Sequence, residues 1–309
     1  MPKAGIPWMT ALLAGGAVVL LSLLSSAFPL LGMFLNYFTV LPLFLVSLSL
    51  GMNAGIFAAL AAFLGIFLMI GAYQAAGFLA ITCLPFLLLS YFALQTKSSS
   101  SAVVFSYPLG VVLSKTTLSV GAVVLALFIL LEGAGVDIRA SIYHFLDSLI
   151  ANELVPEKAR ILNQLVDIFP GIIVLSCLST AILNALMAQK ILIQKKLALR
   201  QPQPDDLSFD GFWDIVVTAA LMMIISGSIF DSSSLSLLGK TVALLGAVPL
   251  GFAGFRVFYL RFFKDRFKAI SFGVLVLLTF LLVWPLLFIV LLGFIEPWYG
   301  LAQPGAVKK

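Results

Sequence analysis

The chain alternates between long apolar runs and short polar breaks, and this pattern predicts membrane-spanning helices. A helix that crosses the hydrocarbon core needs about 20 consecutive apolar residues. The runs of about this length lie at 6–27, 31–50, 54–72, 76–95, 108–131, 168–189, 213–230, 236–255 and 270–294. The breaks around the second to fourth runs are the least marked. We therefore expect an all-α, polytopic transmembrane helix bundle of about nine spans, or of eight if one run is re-entrant.

The composition places most of the chain in a bilayer. Of the 309 residues, 62% are hydrophobic and 10% are charged, and the mean hydropathy is +1.16, whereas about 25% of the residues in a soluble domain are charged. The formal net charge of +5 is carried by residues that stand beside apolar spans. Lipid head groups, and not nucleic acid, are therefore the expected charged partners. The first run shows no clear signal-peptidase site, so we expect it to be retained.

The basic residues predict how the spans are oriented. Cytoplasmic loops carry an excess of lysine and arginine, and a nine-span arrangement puts the stretches QTKSSSS, KILIQKKLALR and RVFYLRFFKDRFK on one side. Most of the 13 acidic residues fall on the other side. We expect a multi-pass protein of the bacterial cytoplasmic (inner) membrane, with the N-terminus in the cytoplasm and the C-terminus outside. The terminal pair Lys308 and Lys309 fits an outside location badly.

Two polar segments divide the chain. The segment 134–166 is an external insert, whose apolar residues recur at helical spacing before and after Pro156. We expect its two helices on the outer membrane surface, either in the head groups or folded over the bundle as a lid. The polar segment at 200–211 is the clearest boundary. It separates a six-span bundle (1–200) from a three-span part (201–309) with a basic cytoplasmic loop at 256–268.

Small residues recur along several spans and are typical of close helix packing, because little hydrophobic force drives helices together in lipid. The candidate packing residues are Gly51, Gly55 and Gly65 in the third span and Ala243, Ala247 and Gly251 in the eighth. They pack either inside the bundle or against the helix of a partner. Pro249 predicts a kink in the eighth span, which either lines a transport cavity or is an ordinary feature of a membrane helix.

Polar side chains inside or beside the spans are the candidate functional residues. Lys115 lies about 10 Å from the cytoplasmic end of the fifth span, so it either snorkels, faces the bundle, or has an intramembrane function. The candidate ligand-binding residues near the outer connections are Asn36, Tyr37, Tyr73, Gln74 and His144. Amide and phenol groups suit a neutral, hydrogen-bonding ligand. The alternative is that these groups hydrogen-bond between helices.

The sequence contains no pattern of an enzyme or a metal site. It has no Walker loop, HExxH, GxSxG or paired intramembrane carboxylates. The two cysteines, Cys83 and Cys177, lie in apolar runs without metal-ligand spacing. We therefore expect no enzymatic activity, no cofactor and no metal.

Two stretches resemble the YybS-like family of uncharacterised bacterial membrane proteins. They are DIFPGIIVLSCLSTAILNALMAQKILIQKK, with Pro170 at the entry to a span and Asn184 deep inside it, and GAVPLGFAGFRVFYL. That family is more distantly similar to the S-components of energy-coupling-factor transporters and to the rod-shape protein MreD. The resemblance implies a six-helix bundle that binds its ligand from outside, and residues 6–195 fit that orientation.

S-components also dock a membrane coupling protein through small residues of the first helix. The nearest match here is Thr10, Ala11, Ala14 and Gly15, which departs from a regular AxxxA pattern. The three additional spans depart from a plain S-component as well.

Two functions remain open from the sequence. The first is an integral membrane protein that binds a small neutral ligand from the outer face as a transporter component, with a coupling protein as its partner. The alternative is a non-transporting scaffold that acts through contacts with proteins of the cell envelope. The identity of the ligand stays unknown.

Overall fold

The computed structural model describes residues 7–99, 102–105, 108–149, 158–200, 212–262 and 283–301. The described helices are α1 (Pro7–Ala27), α2 (Pro29–Tyr37), α3 (Leu41–Leu50), α4 (Met52–Met69), α5 (Ala72–Gly77), a π-helical segment (Phe78–Cys83), α6 (Leu84–Leu94), α7 (Leu109–Gly133), α8 (Ile138–Leu149), α9 (Lys158–Gln194), α10 (Phe212–Ile229), α11 (Ser233–Phe262) and α12 (Val283–Tyr299). A short antiparallel hairpin, β1 (Thr96–Ser99) and β2 (Ala102–Phe105), joins α6 to α7.

Seven helical segments of the described residues are long and apolar enough to cross a membrane. This confirms the expected all-α polytopic bundle. Within the described residues, two of the nine predicted spans are represented only by shorter apolar helices. The second, 31–50, is broken into α2 and α3, and the ninth, 270–294, is described only from Val283 onward as part of α12.

The described chain divides into two compact units. Unit 1 consists of Met1–Thr116 and Ser176–Asp206, and unit 2 of Thr117–Leu175 and Leu207–Lys309. The division differs from the predicted boundary after residue 200. Helices α7 and α9 are each divided, with one part in unit 1 and the other part in unit 2. The insert 134–166 therefore groups with the C-terminal helices, and the end of α9 groups with the first helices.

Unit 1 is held together by small residues between α1, α4 and α3. A Cβ atom added at Gly65 would lie 2.5 Å from Val19 Cγ2, and one added at Gly55 would lie 2.6 Å from Ser47 Cβ. Both glycines therefore permit close approach of helices within unit 1, which is the first of the two alternatives. Gly51 has a different role: a Cβ there would meet nothing within 4 Å, but its φ of +99° suits glycine at the turn between α3 and α4.

Unit 2 packs through glycines as well. A Cβ added at Gly239 would lie 2.9 Å from Ala220 O, so α10 and α11 approach each other closely. Gly254 and Gly293 face the carbonyl oxygens of Ile289 and Leu250 where α11 crosses α12. Of the predicted residues, Gly251 is buried at this crossing, while Ala243 and Ala247 are half-buried.

The C-terminal helix runs parallel to α11. Arg261 Nε donates a hydrogen bond to Leu301 O at 2.7 Å, and these residues lie seven and eight positions beyond the Gly254–Gly293 crossing. Antiparallel helices would separate them by about 20 Å at 1.5 Å per residue. The described end of α12 therefore lies on the same side as the end of α11, and the expectation that the chain ends on the opposite side is wrong for this helix.

Among its described residues, 134–149 and 158–166, the insert contains one helix of its own where two were expected. The first, α8, forms as predicted, but the second is the beginning of α9, whose 37 residues extend for about 55 Å. Pro170 lies inside α9. A proline inside a helix costs about 3 kcal/mol, and Val166 and Gly171 on either side of it are buried. Likewise, α11 continues through Pro249, and the expected kink stays a prediction.

Candidate ligand site at a broken helix

The second predicted span is interrupted inside an apolar run. Helix α2 ends at Tyr37, residues 38–40 form a turn, and α3 begins at Leu41. Pro42 in the first turn of α3 has no N–H and disfavours helical backbone in the preceding residue. Tyr37 lies 13 residues before the end of α3, or about 20 Å away along a helix. The break lies within the second predicted span, 31–50, and exposed backbone groups inside a bilayer need partners.

Asn184 of α9 supplies such a partner from within unit 1. Its Nδ2 donates hydrogen bonds to Tyr37 O at 2.6 Å and to Thr180 O at 2.8 Å. These two carbonyls fix the orientation of the amide, since the reversed amide would set its oxygen against both of them. Asn184 thus satisfies the carbonyl left open where α2 ends.

The oxygen of the same amide, Asn184 Oδ1, has no hydrogen-bond partner among the described residues. Asn184 is 3% exposed, and its Oδ1 is buried without accepting a hydrogen bond from the described residues. A buried acceptor left in this state costs about 1–3 kcal/mol. The site therefore offers a fixed, desolvated acceptor at a helix break.

Two predicted ligand residues flank this break. Asn36 is exposed and Tyr37 is 52% exposed, so both side chains lie on the surface of unit 1. Between the two helices, Thr39 is buried and its Oγ1 donates to Leu35 O at 3.3 Å. The break thus combines a buried amide oxygen with an exposed amide and phenol.

The remaining predicted ligand residues lie elsewhere. Tyr73 and Gln74 are exposed in the first turn of α5, after Gly71, whose φ is +131°. His144 is exposed on α8 of unit 2, and its ring centroid lies 6.2 Å from that of Tyr143. A shared pocket of all five residues stays a prediction. The π-helical segment after α5 was not expected, although Pro85 just beyond it is a sequence signal for irregular hydrogen bonding.

Lys115 contacts a helix of its own unit. It is half-buried on α7, and its Nζ lies 5.9 Å from the centroid of the Phe92 ring on α6, within the range of a cation–π interaction. This contact agrees with a lysine that faces the bundle. An intramembrane function for Lys115 stays a prediction.

Unit 2 contains an ion cluster that was not predicted from the sequence. Asp167 Oδ1 lies 2.9 Å from Arg139 Nη1, and its Oδ2 lies 2.7 Å from Lys240 Nζ. One carboxylate thus joins α8, α9 and α11, beside an apolar cluster that includes Leu146 and Leu162. These ion pairs join the insert to the first half of α11 within unit 2.

A second missed contact joins the N-terminal turn of α10 to the end of α12. Asp214 is 5% exposed, and its Oδ2 accepts a hydrogen bond from Trp298 Nε1 at 2.9 Å. The other oxygen, Oδ1, is buried without a hydrogen-bond partner among the described residues. Only the direction of α12 brings these two residues together, and the sequence carried no signal for it. No group of three metal-ligating side chains occurs in the part of the chain that the structure describes.

Comparison with known proteins identifies the family. No curated protein and no solved structure matches the chain. A family described as predicted membrane proteins, DUF2232, matches residues 16–296, which include parts of both units. The chain therefore belongs to the DUF2232 family of predicted membrane proteins.

Proposed function

We propose that the protein binds a small neutral ligand at the break between α2 and α3, as a component of a membrane transport system. The observation that carries this proposal is the buried Oδ1 of Asn184, which has no hydrogen-bond partner in the described residues. Broken helices are a frequent framework for binding sites in transporters, because they expose polar backbone groups at bilayer depth. A ligand that donates a hydrogen bond to Asn184 would remove the cost of the unpaired acceptor.

The residues at the break also limit the chemistry of the ligand. Asn36, Tyr37, Thr39, Thr180 and Asn184 carry amide, phenol and hydroxyl groups and no charge. An ionised ligand would lack a counter-charge among these residues and would lose its hydration inside the bilayer. A neutral molecule with at least one N–H or O–H donor is the best match. Catalysis is not part of the proposal, since these groups include neither a nucleophile paired with a base nor an acid–base pair.

The way a coupling protein would dock differs from the expectation based on S-components. Ala11 is fully buried and Ala14 is 8% exposed, and a Cβ added at Gly15 would lie 2.8 Å from Ala58 O of α4. The small residues of α1 therefore pack against this chain itself. A coupling protein would have to use a different surface.

A non-transporting scaffold is the second candidate function, and the external part of unit 2 favours it. Ion pairs and an apolar cluster fix α8 on the beginning of α9, while Phe145 is 52% exposed and Ile161 is 42% exposed. A rigid extramembrane surface with exposed apolar side chains suits contacts with envelope proteins. A scaffold function requires no ligand at the helix break.

The two functions are separated by purifying the intact protein from native membranes in mild detergent. Mass spectrometry would identify both the proteins that accompany it and the small molecules released on denaturation. Binding at the break predicts a released molecule that is depleted at least tenfold in Asn184→Leu and reduced in the surface variant Asn36→Ala. The matched control Asn53→Leu, at an exposed asparagine on α4, should retain it.

The accompanying proteins decide the assignment. An ATPase with a membrane coupling subunit would support a transport component. Envelope proteins without an ATPase, together with small-molecule profiles that are identical in the wild type and in Asn184→Leu, would contradict ligand binding and favour the scaffold.

A further inference from the structure

Helix α8 and the beginning of α9 form a two-helix arm within unit 2. Near the end of α8, Asp147 Oδ1 lies 2.8 Å from Lys158 Nζ at the start of α9. Near the start of α8, Arg139 Nη1 lies 2.9 Å from Asp167 Oδ1, which is nine residues further along α9. The two helices therefore run antiparallel. We call α8 together with residues 158–169 of α9 the arm.

An apolar cluster holds the arm together as one body. Leu162 and Val166 of α9 are buried against Leu146 of α8, and the partly buried Ile142 and Phe169 pack on them. The cluster lies between the two ion pairs, so the arm is fixed along its whole length. Any movement of this part of unit 2 should therefore carry both helices together.

The arm ends at a weak point of α9. Pro170 lies inside the helix, and it has no N–H to donate to the carbonyl of Val166. A Cβ atom added at the next residue, Gly171, would lie 2.6 Å from Leu244 Cδ1 and 3.2 Å from Thr241 Cα. Beyond the proline, α9 thus lies directly against α11. The missing hydrogen bond just before this contact makes Pro170 the place where α9 can bend.

One turn before that contact, an ion pair joins the arm to α11. Asp167 precedes Gly171 by four residues on α9, and Lys240 precedes Leu244 by four residues on α11, so the two contacts share one face of each helix. Lys240 Nζ lies 2.7 Å from Asp167 Oδ2, and these side chains are 29% and 23% exposed. An ion pair that water reaches is far weaker than a dry one. The contact can therefore open while the arm itself stays folded.

We propose that the arm is a hinged element, which swings about Pro170 and is held closed on α11 by the ion pair of Asp167 with Lys240. From Pro170 to Lys158 the arm extends for about 18 Å. A change of about 20° at the proline would move its tip by about 6 Å. The proposal does not rest on ligand binding at the helix break, so each can fail without the other.

Double electron–electron resonance of the full-length protein in lipid nanodiscs measures this movement. One spin label is placed at Ser148, an exposed residue near the tip of the arm, and the other at Ile229, an exposed residue at the end of α10. Helix α10 is a suitable reference because it packs closely on α11 at Gly239. The substitutions Cys83→Ala and Cys177→Ala remove the native thiols.

Three variants separate the lock from the hinge. Lys240→Gln should raise the population at a distance displaced by about 6 Å roughly threefold over the wild type, as expected when a partly exposed ion pair is lost. Adding Pro170→Ala should cancel most of this increase, because the alanine N–H can restore the helix hydrogen bond. The control Lys190→Gln removes an exposed lysine elsewhere on α9 and should give the wild-type distribution.

A second pair of labels distinguishes a swing from local unfolding. Ser148 and Ile161 are both exposed and both lie within the arm. Labels at these two positions should show the same dipolar broadening in the continuous-wave spectra of every variant, because the arm moves as one body.

Three results would overturn the proposal. They are an unchanged distance distribution in Lys240→Gln, an equal increase in Lys190→Gln, and an increase that persists after Pro170→Ala is added. Loss of the broadening between the two labels within the arm would likewise show that α8 detaches from α9 instead of swinging with it.

Discussion

Two adjacent glycines on α1 allow a direct test of how this helix is used. A Cβ added at Gly15 would lie 2.8 Å from both Ala58 O and Ala61 Cβ, whereas one added at Gly16 would meet nothing within 4 Å. Carbon atoms pack best at about 3.5–4.0 Å, so Gly15→Ala requires α1 and α4 to move apart by about 0.7 Å. The same substitution at Gly16 requires no movement.

The two variants should change stability in opposite directions. Replacing glycine by alanine in a helix contributes about 0.5–1 kcal/mol, while overpacking of a tight contact costs about 1–3 kcal/mol. We therefore expect Gly15→Ala to lower the free energy of unfolding by about 1–2 kcal/mol and Gly16→Ala to raise it by up to about 1 kcal/mol. Unfolding by sodium dodecyl sulfate in mixed micelles measures this difference. Trp8 lies edge-on to Phe57 at 5.0 Å and gives a fluorescence signal from the same pair of helices.

The result bears on function as well as on stability. Equal effects of the two substitutions would refute the packing of α1 on α4 through Gly15. The small residues of α1 would then be available to a coupling protein, as the resemblance to S-components implies. Opposite effects would show that these small residues of α1 are already packed on α4, so that a coupling protein could not dock on them.

Two further predictions concern the C-terminal helix. Trp298→Phe removes the hydrogen bond to the buried carboxylate of Asp214 and should destabilise the protein by about 1–3 kcal/mol. The double variant with Asp214→Leu should recover part of that loss in the same unfolding assay. If the losses of the two single variants simply add, the proposed interaction between Trp298 and Asp214 is contradicted. Cysteines placed at Arg261 and Tyr299 should react with a membrane-impermeant maleimide from the same side of the membrane, because α11 and α12 run parallel, and labelling from opposite sides would refute this direction.

The sequence determined the elements whose signal is local. Runs of about 20 apolar residues are sufficient to predict spanning helices in lipid, because each helix satisfies its own backbone hydrogen bonds. The amphipathic spacing of α8 could also be recognised in the sequence, and so could the small residues Gly55 and Gly65 of α4. Each of these patterns lies within a single helix. The uncharged polar residues at 36 and 37 indicated a special position in the second span, although not that the helix is broken there.

Tertiary contacts decided the rest. Pro170 was expected at the entry to a span, whereas α9 continues through it from Lys158 to Gln194, and no local pattern in the sequence indicated this continuity. The direction of α12 depends on contacts of Arg261 and Trp298 with residues far away in the chain, so a count of apolar runs reversed it. The amide of Asn184 closes the end of α2 from 147 positions away. Burial and hydrogen-bond partners are properties of neighbours in space, and a single sequence specifies them only through the fold.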